Sequence, residues 1–367
     1  MRIGIDGHVL GKGIGGVERF VAALVERLPS IAPEHEYIVF VTQRYFDGLA
    51  QSTRPGLRFV ALASANPIIG RLILLPVLVH RLGLDALLVQ RVAPFFCGRC
   101  KLIVAVHDLT PLKFADRYKG LSNRLVRLLT PGTLRRAALI LTPTETIRNE
   151  IEQTLPGQVT APIRAFYNGV DTEAFMHLAP GVRTDATLRL LTVGAIEPRK
   201  NIATLIEAVA LLARQQSVHL TIGGGVRDPL YRADLEQLIG RLGLETQVTF
   251  SGFVSEARLL ALYQHADLFL AASADEGFNL PPLEAMACGI PVVCSNIAVH
   301  QELFKGAALF HDTFSAVDLA GCIRTLLGDP DLRESVVAEG HRTVARFSWT
   351  RTAQNVAASL ALLHPAG

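Results

Sequence analysis

The sequence predicts two successive α/β units, each a parallel sheet covered by helices, and three observations predict it. The chain has 367 residues, a comfortable length for two domains. Apolar strand-like runs alternate with helix-like stretches through almost all of it, which argues for parallel sheets with helices on both faces. The rhythm restarts after about residue 185, so each set reads as a separate Rossmann-like domain. Half of the residues are hydrophobic and 19% are charged, which supports a sizeable core and excludes a disordered chain.

In the first set, Arg2–Ile5 reads as a strand, followed by a glycine-rich turn and a helical pattern over Val17–Leu28. Tyr37–Val41, Leu57–Leu62, Lys101–Val106 and Ala138–Thr142 read as further strands. In the second set the strands are Leu188–Val193, Val218–Ile222, Val248–Phe250, Leu268–Leu270 and Val292–Val293, with helical patterns such as Ala203–Arg214 and Leu230–Leu242 between them. Polar residues, a proline and a glycine cluster over Asp171–Ala186 and mark the linker. The expected bounds are therefore 1–175 and 176–346. A last helical pattern, Phe347–Leu363, lies in a third segment, 347–367, after the second set is complete. Open α/β sheets bind ligands at the carboxyl ends of their strands, so two such domains facing one another would take a ligand in the cleft between them.

The net charge of +3 is uninformative, but its distribution is not. Residues 1–175 hold 21 Lys+Arg against 14 Asp+Glu, whereas residues 176–367 hold 15 against 19. A basic first half is expected to meet something anionic, a phospholipid surface or a phosphorylated substrate. Nothing in the sequence asks for a nucleic-acid partner. MRIGIDGHVL reads as a first strand rather than a signal peptide. The best apolar run, Ile68–Val79, is broken by Gly70, Arg71 and Pro76, so no transmembrane segment is expected. Five cysteines, with Cys97 and Cys100 in a C-x-x-C pair lacking a second pair, read as ordinary thiols of a reduced, cytoplasmic protein.

Four stretches could carry chemistry. Gly11, Gly13 and Gly16 fit G-x-G-x-x-G, a weak signal alone. The second strand ends in Gln43 and Arg44, without the acid a dinucleotide ribose needs, so a dinucleotide site is discounted. What remains is that Gly15 and Gly16 let a phosphate or sugar approach the backbone at a helix start, against a plain tight turn. His107 and Asp108 follow the strand Lys101–Val106; His107 could contact a sugar hydroxyl, while Asp108 fits a turn former. In VGAIEPRKN, Gly194 ends a strand, and Glu197, Arg199, Lys200 and Asn201 precede a helix. Two cations at a helix start oppose the helix dipole, a conflict that an anion such as a diphosphate would resolve. Finally, in DEGFNLPPLEAMACG, Glu276 falls on a loop at a strand's carboxyl end and Glu284 early in the next helix. Pro281 and Pro282 suit the first helical turn and Gly289 the stop. Gly277, Phe278, Asn279 and Leu280 would offer backbone N–H groups to an anion. Carboxylates also suit hydroxyl-rich ligands, although acids near a helix start need no ligand to explain them.

Glu276-GFNLPPL-Glu284 resembles the E-x7-E motif of family 4 glycosyltransferases, retaining enzymes of GT-B fold. GIGGVERF, VHDL, NGVD (Asn168–Asp171), GAIEPRKN, SGFVS (Ser251–Ser255) and FSWTRTA (Phe347–Ala353) extend the resemblance over nearly the whole chain. It implies two Rossmann-like domains across a cleft, with the last helix crossing back to the first domain. It implies transfer of a sugar from a nucleotide diphosphate sugar to an acceptor hydroxyl with the anomeric configuration kept, and without a cofactor or metal. Arg199 and Lys200 would then neutralise the departing diphosphate. Glu276 would bind the donor sugar, and Glu284 would hold the ribose diol. Main chain near Phe253 and Val254 would read the base, and His107 would touch donor sugar or acceptor. The motif combination looks most like mannosyltransferases of bacterial surface polysaccharide assembly using GDP-mannose, with UDP-sugars left open. The expected acceptor is a glycan or a lipid-linked molecule. Lys113, Arg117, Lys119, Arg124, Arg127, Arg135 and Arg136 form a stretch, Lys113–Arg136, expected to rest on an anionic membrane. The rival readings are a non-catalytic sugar-nucleotide-binding GT-B protein and a nucleotide-sugar epimerase.

Overall fold

The structure is a computed structural model that describes residues 1–13, 15–49, 54–62, 70–113, 121–176 and 185–363. It divides into two compact units, one of Met1–Gly169 with the segment from Trp349 onward, the other of Val170–Ser348. The chain thus passes between units after Gly169, not after residue 175. The short helix Thr172–Met176 belongs to the second unit because it packs on the helix Leu280–Ala287. Most of the expected linker, 177–184, lies outside the described residues.

The first unit holds seven parallel strands: β1 (Arg2–Asp6), β2 (Glu36–Thr42), β3 (Leu57–Leu62), β4 (Ala86–Gln90), β5 (Lys101–Ala105), β6 (Leu139–Thr142) and β7 (Ile163–Ala165), in the order β3-β2-β1-β4-β5-β6-β7. The second holds β8 (Leu188–Val193), β9 (Val218–Gly223), β10 (Val248–Gly252), β11 (Leu268–Ala271), β12 (Val292–Ser295) and β13 (Leu309–His311), ordered β10-β9-β8-β11-β12-β13. Both orders reverse direction once, between β1 and β4 and between β8 and β11. Such switch points open a crevice at the carboxyl ends of the strands, where doubly wound sheets bind ligands.

Burial explains why these segments are strands. Every residue of β4, β6, β11 and β12 is buried, as continuous apolar runs between helical layers require. Strands β4, β7 and β13 were not expected from the sequence. Gln43 and Arg44 do not end β2 but start a one-turn helix, Gln43–Asp47, whose N-cap Thr42 accepts from Tyr45 N. Helix Gly16–Ile31 starts at the third glycine of its motif, with Gly15 as N-cap at φ 79°, a conformation that suits glycine. Ile14 lies outside the described residues.

The last helix, Trp349–Leu360, belongs to the first unit. Its Ala353, Val356 and Leu360 join the core of Ile3, Phe20 and Leu24. Burying side chains such as Val356 and Leu360 contributes about 1.5–3 kcal/mol each. Thr352 Oγ1 donates to Tyr167 O at 2.6 Å and Asn355 Nδ2 to Phe166 O at 3.1 Å, which fixes the register of the helix on that surface.

Candidate active site

The second unit brings Glu197, Arg199, Lys200 and Glu276 together at its switch point. Gly194 follows β8, and the turn Pro198–Lys200 then carries Arg199 and Lys200 to the start of helix Ile202–Leu212. Across from them, the loop after β11 carries Ser273, Asp275 and Glu276. Backbone joins the two loops, Ala274 N donating to Arg199 O at 2.8 Å. Arg199 Nη1 donates to Glu276 Oε2 and to Asp275 O, while its Nη2 donates to Glu197 Oε1 at 2.8 Å. Lys200 Nζ meets Glu276 Oε1 at 2.5 Å, and Ser273 Oγ donates to the same oxygen at 2.8 Å. The dipole conflict seen in the sequence is therefore answered by the chain's own carboxylates. Glu197, Glu276, Arg199 and Lys200 form a cluster, and Arg227 adds a third, more exposed cation 3.5 Å from Glu197 Oε2, so the five groups carry a formal net charge of +1.

The electrostatics define what Glu276 can do. Burial raises its carboxyl, but Arg199 and Lys200 together outweigh burial and hold it well below the usual carboxylate range. It is an ionised acceptor at neutral pH and has no proton to give, which removes a general-acid role. Two oxygens with about four lone-pair directions can still accept a hydroxyl beside the present donors. Burial pushes the Lys200 ammonium down, and Glu276 opposes that shift. The carboxyl ends of β8 and β11 enclose a small pocket lined by Gly194, Lys200, Ser273 and Asn279.

The other expected donor residues are placed as follows. Glu276 and Glu284 are both buried, but Glu284 has a different partner: the Tyr263 hydroxyl lies 2.9 Å from its Oε2. Gly277 to Leu280 lead into helix Leu280–Ala287, with Asn279 as N-cap at φ 77°. Phe278 is buried edge-on against Phe347, ring centres 5.6 Å apart. Phe253 is strongly exposed and Val254 partly so, in the loop after β10.

His107 lies in the first unit, two residues after the end of β5. Its Nε2–H donates to Gln90 Oε1 at 2.7 Å and its ring stands edge-on to Phe20, centres 5.1 Å apart. Burial, reinforced by the Arg91 guanidinium, pushes it down to about 4, so it is a neutral imidazole with Nδ1 as acceptor. Asp108 serves as a turn former, accepting from Thr110 N at 3.1 Å, and also pairs with Arg91 at 2.8 Å. Gly15 and Gly16 stand at the helix start after β1; an added Cβ on Gly15 would meet nothing within 4 Å.

Several residues of this edge were missed by sequence reasoning. Asp6, at the end of β1 and fully buried, holds His8 Nδ1 at 2.7 Å. Gln90 ends β4, and Arg91, which follows it, has φ 63°. An acid closing the first strand with a histidine two residues on was a usable signal. Gln90 and Tyr263 gave none, since each reads as an ordinary strand or core residue.

Of the basic stretch Lys113–Arg136, Lys113 pairs with Glu150 at 2.8 Å, Arg135 donates to Gln158, and Arg136 donates to the carbonyls of Pro94 and Phe95. Arg117 and Lys119 lie outside the described residues. Among the described residues of the stretch, Lys113, Arg135 and Arg136 are held by neighbours, and Arg124 and Arg127 lie on helix Leu121–Arg135. Among the described residues no helix is long and apolar enough to cross a membrane.

The fold's stability is expected to depend on pH in one direction. His107 and His300 are both held at about 4, below the ordinary 6.5, chiefly by burial. Between those values the unfolded chain binds protons that the folded chain refuses. Their contribution is therefore complete above pH 6.5 and falls away as pH drops toward 4. Glu276, also shifted down, adds stability that is present above pH 4.5 and declines below it. Urea midpoints should be level from pH 8 to 7 and decrease below 6.5. A midpoint that increased on acidification would contradict two buried neutral imidazoles.

Comparison with known proteins accords with this arrangement. The family model "Glycosyltransferase Family 4" matches residues 14–174, and "Glycosyl transferases group 1" matches residues 182–343. The chain is 29% identical over 253 residues to the O-antigen chain mannosyltransferase RfbU of Salmonella typhimurium, covering 69% of this chain and 67% of that one. It is 37% identical over 163 residues to O-antigen chain mannosyltransferase B of Escherichia coli, covering 43% of this chain and less than half, 42%, of that one. The solved structure of Anabaena HepE in complex with UDP and glucose superposes with a TM-score of 0.73 at 21% identity, covering 98% and 99% of the two chains. The two family models cover the first and second units in turn, and the two parallel-sheet units are those of the GT-B glycosyltransferases: this chain belongs to glycosyltransferase family 4.

Proposed function

We propose that the chain transfers a hexose, with retention, from a nucleotide diphosphate sugar to a hydroxyl of a glycan or lipid-linked acceptor, with GDP-mannose as donor. The observation that carries the reading is the preformed contact of Glu276 with Arg199 and Lys200 at the second unit's switch point. An ionised carboxylate beside two cations suits a ligand with a hydroxyl-rich sugar at one end and a diphosphate at the other. Arg199 and Lys200 stabilise the charge that grows on the departing diphosphate, where fixed donors contribute most. Glu276 accepts from sugar hydroxyls and faces the oxocarbenium-like charge. The acceptor oxygen bonds to the anomeric carbon as the bond to the diphosphate oxygen breaks, and the acceptor proton passes to the departing phosphate. Glu284 serves the ribose and the Phe253–Val254 loop the base. The relatives named as mannosyltransferases support mannose. HepE, solved with UDP and glucose, makes UDP the control ligand.

A thermal-shift panel of GDP, UDP, ADP and dTDP tests this. A ligand at a hundred times its Kd adds about 2.7 kcal/mol of apparent stability. GDP should raise the melting temperature most. A larger shift with UDP would replace the donor, and no shift with any of the four would overturn the donor site.

The same proposal includes peripheral contact with an anionic membrane. Phe95 and Phe96, 66% and 75% exposed, sit on a loop tied to helix Leu121–Arg135 by Arg136 and by Ala93 N donating to Thr133 Oγ1. Leu128 is exposed on that helix, which also carries Arg124 and Arg127. Apolar tips flanked by cations suit an acidic bilayer surface. The protein should sediment with phosphatidylglycerol vesicles at low salt, and failure to do so removes this part of the reading.

A further inference from the structure

We propose that His300 is a positioning residue for the donor site, clamping Asn279 at the head of helix Leu280–Ala287 and thereby fixing the backbone N–H groups of residues 277–280 and the adjoining Glu276. The inference rests on the reading that a nucleoside diphosphate binds at this edge of the second unit.

His300 lies on helix Ala298–Phe304 and is fully buried. Its Nδ1 is 2.9 Å from Ser295 O, which can only accept, so Nδ1 carries the proton of the neutral ring. Nε2 is then an acceptor, and Asn279 Nδ2 donates to it at 2.9 Å. Burial is the main cause that pushes His300 down to about 4, so this neutral arrangement persists at physiological pH.

Asn279 needs such a hold. It sits at φ 77° and ψ 82°, on the positive side of φ that L residues avoid and that glycine adopts freely. A side chain there is tolerable when something fixes it. The imidazole fixes it at one end, and Ser295, whose carbonyl accepts from the same ring, is linked to the Glu276 end through Ser273. Ser295 Oγ donates to Ser273 O at 2.6 Å, and Ser273 Oγ donates to Glu276 Oε1 at 2.8 Å. The segment from Glu276 to Asn279 is thus held at both ends by groups that meet on His300 and Ser295. Removing the imidazole should loosen that segment while leaving the apolar core of the unit intact.

The test compares wild type with H300L, H300Q, N279G and N279G/H300L. Hydrogen exchange of the ligand-free protein is read over residues 276–284, and GDP and UDP binding is measured by calorimetry. H300L should speed exchange at 277–280 and weaken binding of the favoured nucleotide about tenfold, the size of one buried hydrogen bond. H300Q, whose amide can accept from Asn279 and donate to Ser295 O, should restore both to within about twofold. In the N279G background, where no side chain needs holding, H300L should cost less than half as much, roughly threefold or below. Unchanged exchange at 277–280 in a folded H300L protein overturns the clamp, whatever the nucleotides do. If wild type binds neither GDP nor UDP, the donor-site reading fails while the exchange measurement still decides the role of His300.

Discussion

Glu276→Gln should remove turnover while leaving nucleoside diphosphate binding intact or tighter. The wild-type cluster of Glu197, Glu276, Arg199, Lys200 and Arg227 already carries a formal +1, with Arg199 and Lys200 both directed at Glu276. Exchanging the carboxylate for an amide leaves the cations in place with one negative charge fewer opposite them. A diphosphate should then bind at least as well. In the proposed reaction turnover needs the carboxylate itself, as acceptor for the sugar and as counter-charge at the anomeric centre. Its loss should cost on the order of 10³-fold, as for other preorganised electrostatic groups. Hydrolysis of GDP-mannose and UDP-glucose without acceptor, measured beside GDP and UDP affinity, separates the outcomes. Retained turnover would end the assignment of Glu276. A joint fall of turnover, affinity and melting temperature would make it only a counterion for Arg199 and Lys200. Glu276→Ala is the poorer probe, since breaking a buried ion cluster by deleting one partner costs about 3–5 kcal/mol of stability.

The contrast between Glu276 and His300 shows what the sequence could and could not disclose. Glu276, Glu284, Arg199 and Lys200 are legible because each breaks a local expectation: acids bracketing an apolar helix start, cations where the helix dipole disfavours them. Their pairing is not legible. Arg199 and Glu276 are 77 positions apart, and only the parallel order β8-β11 brings their loops together. Tyr263 with Glu284 and Asn279 with His300 are both contacts across 21 positions, made by residues that look like core or turn formers. The fold shows the same division. Strands of five or six residues with clear flanking turns, such as β3 and β8, are legible to the residue. Strand β4 is not, because only four residues, Leu82 to Asp85 and two of them leucines, separate it from the apolar helix Leu75–Arg81. Strands β7 and β13 have three residues each, too few for a period to show.

Gly224→Ala should be the most damaging small substitution in the second unit, and Gly225→Ala next to it nearly neutral. A Cβ on Gly224 would stand 1.9 Å from the carbonyl oxygen of Gly194, far inside any contact distance. That carbonyl cannot retreat easily. Gly194 N is bonded to Gly223 O at 2.8 Å, and Gly224 N to Gly252 O at 2.9 Å, so the ends of β8, β9 and β10 are tied together here. Lys200 also lies over Gly194, its Cε 3.1 Å from where a Gly194 Cβ would be. Gly224 moreover has φ 145°, where a side chain is strained in any surroundings. Steric overlap and strain together should cost about 3 kcal/mol or more. The loss should appear as a lower melting temperature, with faster hydrogen exchange confined to β8–β10. A Cβ on Gly225 meets nothing within 4 Å, so its alanine variant should stay within about 0.5 kcal/mol of wild type. The pair distinguishes the local penalty at Gly224, steric overlap together with its positive φ, from glycine's general flexibility, which both positions lose alike in the unfolded chain. Equal effects at the two sites would contradict both the overlap and the strain at Gly224. The approach matters for chemistry because Gly194 and Lys200 both line the pocket beside Glu276. Any Gly224→Ala protein that still folds should therefore also have a displaced Lys200 and a weaker grip on the diphosphate.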